Sequence, residues 1–471
     1  MKQTIKCLIA AFAAMLMSVA AFAQVTTAAL GGRVVDANGE PIVGAAVVAT
    51  HEPSGTVYGV ITNADGRYAI NGMRAGGPYK VEMSCLGYQT LAYTDVTLQL
   101  AETSALNGQL AEDSQMLGEA MVIAASASKF SAQKMGSATN ISSKDIISVP
   151  TVSRSISDVT RLSPYGGNGM SFAGADGRTA NFTVDGANFN NNFGLSDNLP
   201  GGGNPISIDA IEEMQVVISP YDVRQTNFIG GGVNAITKSG TNTFKGSAYV
   251  YHRNENMRGN FVAGQEVAGA RDKDRNTTYG FTLGGPIVKD KLFFFVNAEY
   301  STIPTVVNRW RGTDVVDENG NGVANADAYI SRTKLEDLQK VSEFVKEKYG
   351  YDTGSWTDYP ATESNTKILA RLDWNINDAH KLAIRYNYTL NQGWNNTNSS
   401  SSNCGQRTTE GRLGQYAMAF SNSMYSMDNK VNSFTFDLNS RFSNNLSNQL
   451  LVTYSKLDDI RGADWNDNPD G

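Results

Sequence analysis

From about Phe244 to Leu457 the chain alternates apolar and polar residues in about seven stretches of roughly ten residues each. In Lys381 to Asn391 one parity holds Leu382, Ile384, Tyr386, Tyr388 and Leu390, and the other is mostly polar or charged. Ile368, Ala370, Leu372, Trp374 and Ile376 likewise alternate with Lys367, Arg371, Asp373 and Asn375, and Phe434, Phe436, Leu438 and Phe442 with Thr435, Asp437, Asn439 and Arg441. A period of two over that length predicts tilted strands with one face toward lipid and one toward water. The links after Val288, Ile376 and Phe442 are short, whereas those at about 254 to 276, 303 to 365 and 392 to 428 are long and polar. Short turns on one side and long loops on the other are what outer-membrane barrels present.

The start of the chain fits export. Lys2 and Lys6 precede an apolar run from Leu8 to Phe22, and Ala21-Phe22-Ala23 has the small-x-small form of a cleavage site, so residues 1–23 read as a signal peptide. No later run is apolar and long enough for a membrane helix, so any span must be made of strands, which cross only as a closed barrel. Loss of the leader removes two lysines and no acid, moving the net charge from −7 to 37 − 46 = −9. An acidic surface argues against nucleic acid as partner. Cys7 leaves with the leader, and Cys85 and Cys404 fall in different predicted domains, so no disulfide framework is indicated.

Residues 29–101 predict a small β-sandwich. Gly31 to Ala45 reads as a strand, an Asn-Gly turn at Asn38-Gly39 and a second strand; Asn63 to Ile70 repeats the device with Asp65-Gly66. Arg33, Asp36, Gly39, Pro41, Gly44, Ala45 and Val47, then Thr62, Asp65, Gly66, Tyr68 and Ile70, follow in order the pattern of the carboxypeptidase regulatory-like domain, a transthyretin-like sandwich that this segment resembles. No ring of exposed aromatics suggests sugar binding, and a periplasmic spacer is the plainer role.

A polar linker, 102–128, contains the short apolar segment Met116 to Ala124. Such a segment can add itself as a strand to a partner's open sheet edge. It resembles a TonB box, with Leu117, Glu119, Val122 and Ala124 at matching positions and Ile123 within the apolar run, while Ala120 and Met121 depart from the usual valines. Residues 129–241 resemble the plug of a TonB-dependent receptor, specifically of the Oar-like group found in Bacteroidetes. The resemblance rests on Asn181 to Gly186 with its Val-Asp-Gly turn, on Ile211 to Val217, on Gly230 to Gly240, and on a helix over Ser155 to Leu162 with Ile156, Val159 and Leu162 on one face and Pro164 ending it.

Catalysis has little support. His51, His252 and His380 are scattered, and no phosphate-binding or nucleophile-elbow motif is present, so the chain reads as a non-enzyme without cofactor. Asp317, Asn319 and Asn321 open like a calcium loop, but Ala328 stands where a bidentate Glu belongs, leaving a weak candidate. Thr333 and Glu336 predict a capping box for a loop helix carrying Leu335, Leu338, Val341, Val345 and Tyr349, either packed on the barrel mouth or acting as a lid. Asn188, Phe189, Asn190, Asn191 and Phe193, with Tyr165, Phe172 and Tyr221 nearby, are candidates for an external vestibule that meets ligand, against the duller reading of turn geometry and core.

The fold class expected is mostly β: leader, transthyretin-like sandwich, α+β plug, then in 242–471 the first ~7 strands of a transmembrane antiparallel barrel of about 22. Because that count falls short and the end lacks a terminal aromatic, the expectation is an N-terminal fragment that stops in an external loop. The resemblance implies energised uptake of a nutrient across the outer membrane, with TonB, its inner-membrane ExbB/ExbD motor and outer-membrane lipid as partners; a surface lipoprotein partner is also compatible. A passive outer-membrane adhesin or structural barrel and a secreted carbohydrate-binding sandwich are the alternatives. The substrate is not legible, since specificity lies in loops.

Overall fold

The computed structural model describes residues 25–112, 121–124, 137–149, 151, 154–190, 199, 204–220, 225, 228–257, 259, 261–266, 275–306, 310–357, 360–395 and 413–462. The leader, with its expected cleavage site, lies outside the described residues.

The first unit is a two-layer sandwich of strands β1 (Ala28–Val35), β2 (Ala46–His51), β3 (Thr56–Ile61), β4 (Arg67–Met73), β5 (Gly76–Ser84), β6 (Leu91–Leu98), β7 (Thr103–Ala105), β8 (Gly108–Gln109) and β9 (Met121–Ala124). One sheet runs β4-β1-β7 with β8 also on β1, the other β3-β2-β5-β6-β9. Leu30, Val47, Ile70, Tyr79, Val81 and Leu98 close the core between them. The two turns predicted as hairpins differ from expectation. The Asn-Gly turn leads only to a single bridge, Val35 to Pro41, before the chain crosses to β2 in the other sheet. The Asp65-Gly66 turn likewise passes from β3 to β4 across the layers. Gly66 is needed there: its φ is +69°, and a Cβ would lie 2.5 Å from the Val34 carbonyl oxygen.

The middle unit holds β10 (Ser137–Ser142), α1 (Ser143–Ser148), α2 (Ile156–Thr160), β11 (Asn181–Val184), β12 (Ala187–Asn188), β13 (Ile211–Ser219) and β14 (Gly232–Thr237), with sheet order β10-β13-β14-β11-β12. Ser142 and Asp145 form a reciprocal capping box on α1. In α2, Ile156 and Val159 are buried as the spacing predicts, but the helix ends at Thr160 and Leu162 is left exposed. Phe172, Phe182, Phe189, Met214 and Val233 form a core that extends onto Phe295, Leu369 and Val431 of the third unit.

That third unit comprises β15 (Lys245–Arg253), the small loop strands β16 (Phe261–Val262) and β17 (Gln265–Glu266), β18 (Asn276–Val288), β19 (Leu292–Val306), β20 (Arg311–Thr313), β21 (Ile330–Lys334), α3 (Leu335–Tyr349), β22 (Pro360–Asn375), β23 (His380–Asn395), β24 (Tyr425–Arg441) and β25 (Ser447–Gly462). Seven strands form one open antiparallel sheet, β15-β18-β19-β22-β23-β24-β25, whose long and short connections alternate as the polarity pattern predicts. Leu283, Val296, Ala370, Tyr386, Phe434 and Tyr454 are register neighbours in one row across six strands on the outward face. The next row, Thr282, Asn297, Leu369, Asn387, Ser433 and Ser455, faces the middle unit and is largely polar. The predicted capping box of α3 is not formed: Lys334 is the N-cap without a side-chain bond, and Glu336 pairs with Lys340 one turn on. Only Leu338 of its apolar side is buried.

Candidate functional site

The inward face of the sheet meets the middle unit through buried charge. Arg371 of β22 and Arg385 of β23 are direct cross-strand partners on that face. Two like charges in that position repel, and both are buried, so nearby carboxylates are needed to offset them. Asp185 of the middle unit, 2% exposed, lies against both: 3.4 Å from Nε of Arg385 and 3.9 Å from Nη1 of Arg371. The sequence places it there through the Asp185-Gly186 turn between β11 and β12, where both residues have positive φ, +50° and +82°. Thr237 holds the carboxylate, donating from its amide at 3.1 Å and its hydroxyl at 2.7 Å.

One row further, Asp373 accepts two parallel bonds from Arg371, both 2.9 Å, and Asp437 accepts from Arg385 at 3.4 Å. Arg74 of the sandwich completes the set, 3.3 Å from Asp373. Three guanidinium groups thus meet three carboxylates, drawn from all three units. A second cluster lies toward the long-loop side. Glu299 accepts from Lys367 at 2.8 Å, from Tyr249 at 2.9 Å and from Ser207 at 2.8 Å, and Arg154, paired with Asp209, stacks 4.1 Å over the Tyr251 ring. Gly280 makes room for Tyr249, whose ring occupies the space where a Cβ would stand.

Of the residues singled out from sequence, Leu117 and Glu119 lie outside the described residues. Val122, Ile123 and Ala124 fall in β9, which pairs in parallel with Ala92, Tyr93 and Thr94 of β6. Phe189 is 1% exposed in the middle-unit core, and Phe172 joins it, which removes both rings from any vestibule surface. Asn188 accepts from the Asn190 amide at 2.7 Å; Asn190 accepts from the Phe182 amide at 2.6 Å and donates to Asn181 at 2.7 Å. These amides order the turn that follows β12. Asn191, Phe193 and Tyr221 lie outside the described residues. Asp317 uses its carboxylate to accept the amides of Asn319 and Asn321 at 2.9 and 2.8 Å, which also lowers its pKa, so the calcium-like opening is an Asx turn. Among the described residues no group of three His, Cys, Asp or Glu could hold a metal. His51 is buried, and that burial, with Arg74 nearby, depresses its pKa to about 3.

The Asp185, Arg371 and Arg385 constellation was not foreseen. Its signals were present: two arginines on the inward parity of adjacent strands, and an acid in the Val-Asp-Gly turn that was read for its conformation alone.

Comparison with known proteins bears on this arrangement. Residues 29–111 match the carboxypeptidase regulatory-like domain, and residues 236–470 match the outer membrane beta barrel domain. The TonB-dependent transporter Oar of Myxococcus xanthus is 25% identical over 396 residues, covering 80% of this chain and 34% of that protein. The chain thus combines a carboxypeptidase regulatory-like domain with an outer membrane beta barrel domain, and it is similar to a TonB-dependent transporter over most of its length. It spans about a third of the length of that curated relative. Among solved structures, the siderophore receptor PirA of Pseudomonas aeruginosa is similar at 13% identity and a TM-score of 0.42, over 70% of this chain and 42% of that one. The outer membrane transporter YddB of Escherichia coli is similar at 13% identity and a TM-score of 0.44, over 69% and 39%. The seven-stranded sheet, Lys245 to Gly462, lies wholly within the residues that match the outer membrane beta barrel domain.

Proposed function

We propose that the chain is the N-terminal part of an energised outer-membrane transporter, in which the middle unit is the plug and the seven-stranded sheet is one wall of the barrel. The observation that carries this reading is Asp185, seated between Arg371 and Arg385 on the polar side of a sheet whose other side is apolar. Arg371 and Arg385 have Asp373 and Asp437 of the wall as partners, and the middle unit adds a third carboxylate, Asp185, that faces both arginines at once. Apolar rows exposed on the outward face favour this over a secreted sandwich.

In this mechanism a nutrient binds from the long-loop side, to loops of plug and barrel. The segment at Leu117 to Ala124 is then offered to TonB in the periplasm as an added strand, and the proton-motive ExbB/ExbD motor of the inner membrane supplies the force that remodels the plug. Two charge clusters join plug and wall beside the apolar contacts of Phe295, Leu369 and Val431. Ion pairs exchange partners with water at lower cost than a packed core is opened, which suits a plug that must move and return. Residues 1–23 act as the export signal. The nutrient and any surface lipoprotein partner are set by loop contacts.

Deletion of residues 117–124 from the full-length gene tests the reading. Uptake should be abolished while insertion in the outer membrane persists. Unchanged uptake would remove the coupling assignment.

A further inference from the structure

The sandwich is not a free spacer in this structure. Its β2–β3 loop and neighbouring strands lie across the short-turn end of the sheet, contacting that rim along its width. The Asn242 amide donates to the Pro53 carbonyl at 2.8 Å, and the Asn242 side chain is itself bonded to Asp290 in the first short turn at 2.6 Å. Asn375, at the second short turn, donates to Thr56 at 2.9 Å, and the Lys381 ammonium stands 4.5 Å from the Tyr58 ring centroid. Beside the third, Gln449 donates to Thr26 at 2.8 Å, and Thr26 donates to Asp437 at 2.8 Å. Arg74 reaches further in, to Asp373 and to Ser239 of the segment joining plug to barrel, the latter at 2.8 Å. Between the three units lies a cavity of about 560 Å³, with His51, Tyr58 and Arg74 on the sandwich side and Arg371, Asp373, Arg385 and Asp437 on the wall.

Two further contacts tie this unit to the elements that would move. The plug grips the end of β6: Leu100 donates its amide to Glu213 at 2.9 Å, and Gln215 donates to the Leu100 carbonyl at 2.8 Å. On the same sheet, β9, which contains the end of the segment proposed for coupling, is the outermost strand beside β6.

We propose that the sandwich is a periplasmic cap on the lumen. It closes the exit beneath the plug, and it must undock before anything passes. Since β9 is a strand of the cap's own sheet, a pull on the coupling segment acts on the cap before it reaches the plug. This rests on the transport reading above. In the docked state Arg74 pairs with Asp373 on the short-turn side of Arg371 and Arg385, where it would stand in the way of a solute leaving by that end.

The test is a reversible lock. A Cβ at Gly72 would lie 3.6 Å from that of Asn439, within the span of a disulfide. The full-length receptor is made with Gly72→Cys and Asn439→Cys, with Cys85 and Cys404 replaced by Ser. A second pair, Thr56→Cys with Asn375→Cys, guards against strain at Gly72, whose φ is +71°. Disulfide yield is read on non-reducing gels from resting cells, from protonophore-treated cells and from cells lacking residues 117–124. Near-complete bridging in the de-energised cells, falling severalfold in energised cells, is the expected result. Failure of both pairs to bridge in de-energised cells overturns the docked cap, and equal yield with and without protonophore overturns its undocking. Pull-down of the purified receptor on the periplasmic domain of TonB separates the two failures. If it succeeds while the yield stays constant, the cap alone is wrong; if it fails as well, the transport reading falls too.

Discussion

Replacing Asp185 by Ala removes the acid that the middle unit places between Arg371 and Arg385. Two bonds from Thr237 are lost with it, and the network of three cations and three anions becomes three against two. Arg371 keeps its paired bonds to Asp373, but Arg385 is left with Asp437 at 3.4 Å as its ion partner. Breaking a buried pair by truncating one partner costs about 3–5 kcal/mol. The remaining partners place this case near the lower end, so about 3 kcal/mol, or roughly a hundredfold in the opening equilibrium, is expected. Hydrogen exchange in the full-length receptor reads it directly, because the Thr237 amide is one of the two donors. Protection of β14 should fall by about two orders of magnitude, while β10, at the far edge of the same sheet, changes less. Asp185→Asn should fall between, and Arg385→Met added to Asp185→Ala should recover part of the loss by removing the uncompensated cation. Unchanged β14 protection, or a double variant worse than the sum of its parts, would refute the idea that charge complementarity seats the plug.

Other predictions concern separate elements. Burial lifts the Glu213 pKa to about 7 despite the bonds from Leu100 and Asn140, with Glu212 and Glu102 adding to the lift. A raised carboxyl stabilises the folded joint most below its unfolded value and loses that contribution as pH climbs through 7, a loss on the order of 3 kcal/mol. Proteolysis near Leu100 should therefore accelerate between pH 5 and pH 8, and Glu213→Gln should flatten that dependence. Gly280→Ala should force the Tyr249 ring from its place beside Glu299, costing about 1–3 kcal/mol, read by denaturant unfolding. Leu338→Ala, at the one buried anchor of α3, should cost about 2–5 kcal/mol of local stability and release the helix to exchange without affecting membrane insertion. Leu372→Arg on the outward face should cost about 2–4 kcal/mol in lipid and reduce the heat-modifiable folded form on gels.

Much of the sheet was legible because its period is two and its faces meet opposite solvents: each parity assignment for Lys381 to Asn391 and Ile368 to Asn375 follows from that contrast. The sandwich turns were harder. Asn38-Gly39 and Asp65-Gly66 read as hairpin signals, since tight turns look alike whether the next strand pairs locally or crosses to the facing layer. The α3 start was misread for a related reason: Thr333 and Glu336 have the spacing of a capping box, but Thr333 is still a strand residue in β21 and the helix begins after Lys334. Phe189 could not be told from a solute-stacking ring, because composition does not reveal which way a loop residue turns. The charge network escaped notice because its members lie nearly two hundred residues apart, and only the cross-strand register of β22 and β23 brings the two arginines into one place.

The central claim is that one side of this sheet faces hydrocarbon and the other holds the plug. A nitroxide scan through residues 366–372 of the full-length receptor in bilayers tests it most directly. A label at Ile368 should collide freely with oxygen and little with a water-soluble nickel chelate, and one at Leu369, buried against the plug, with neither, the pattern repeating every two residues. Ready access of the nickel chelate to position 368, or loss of the two-residue period, would contradict the account.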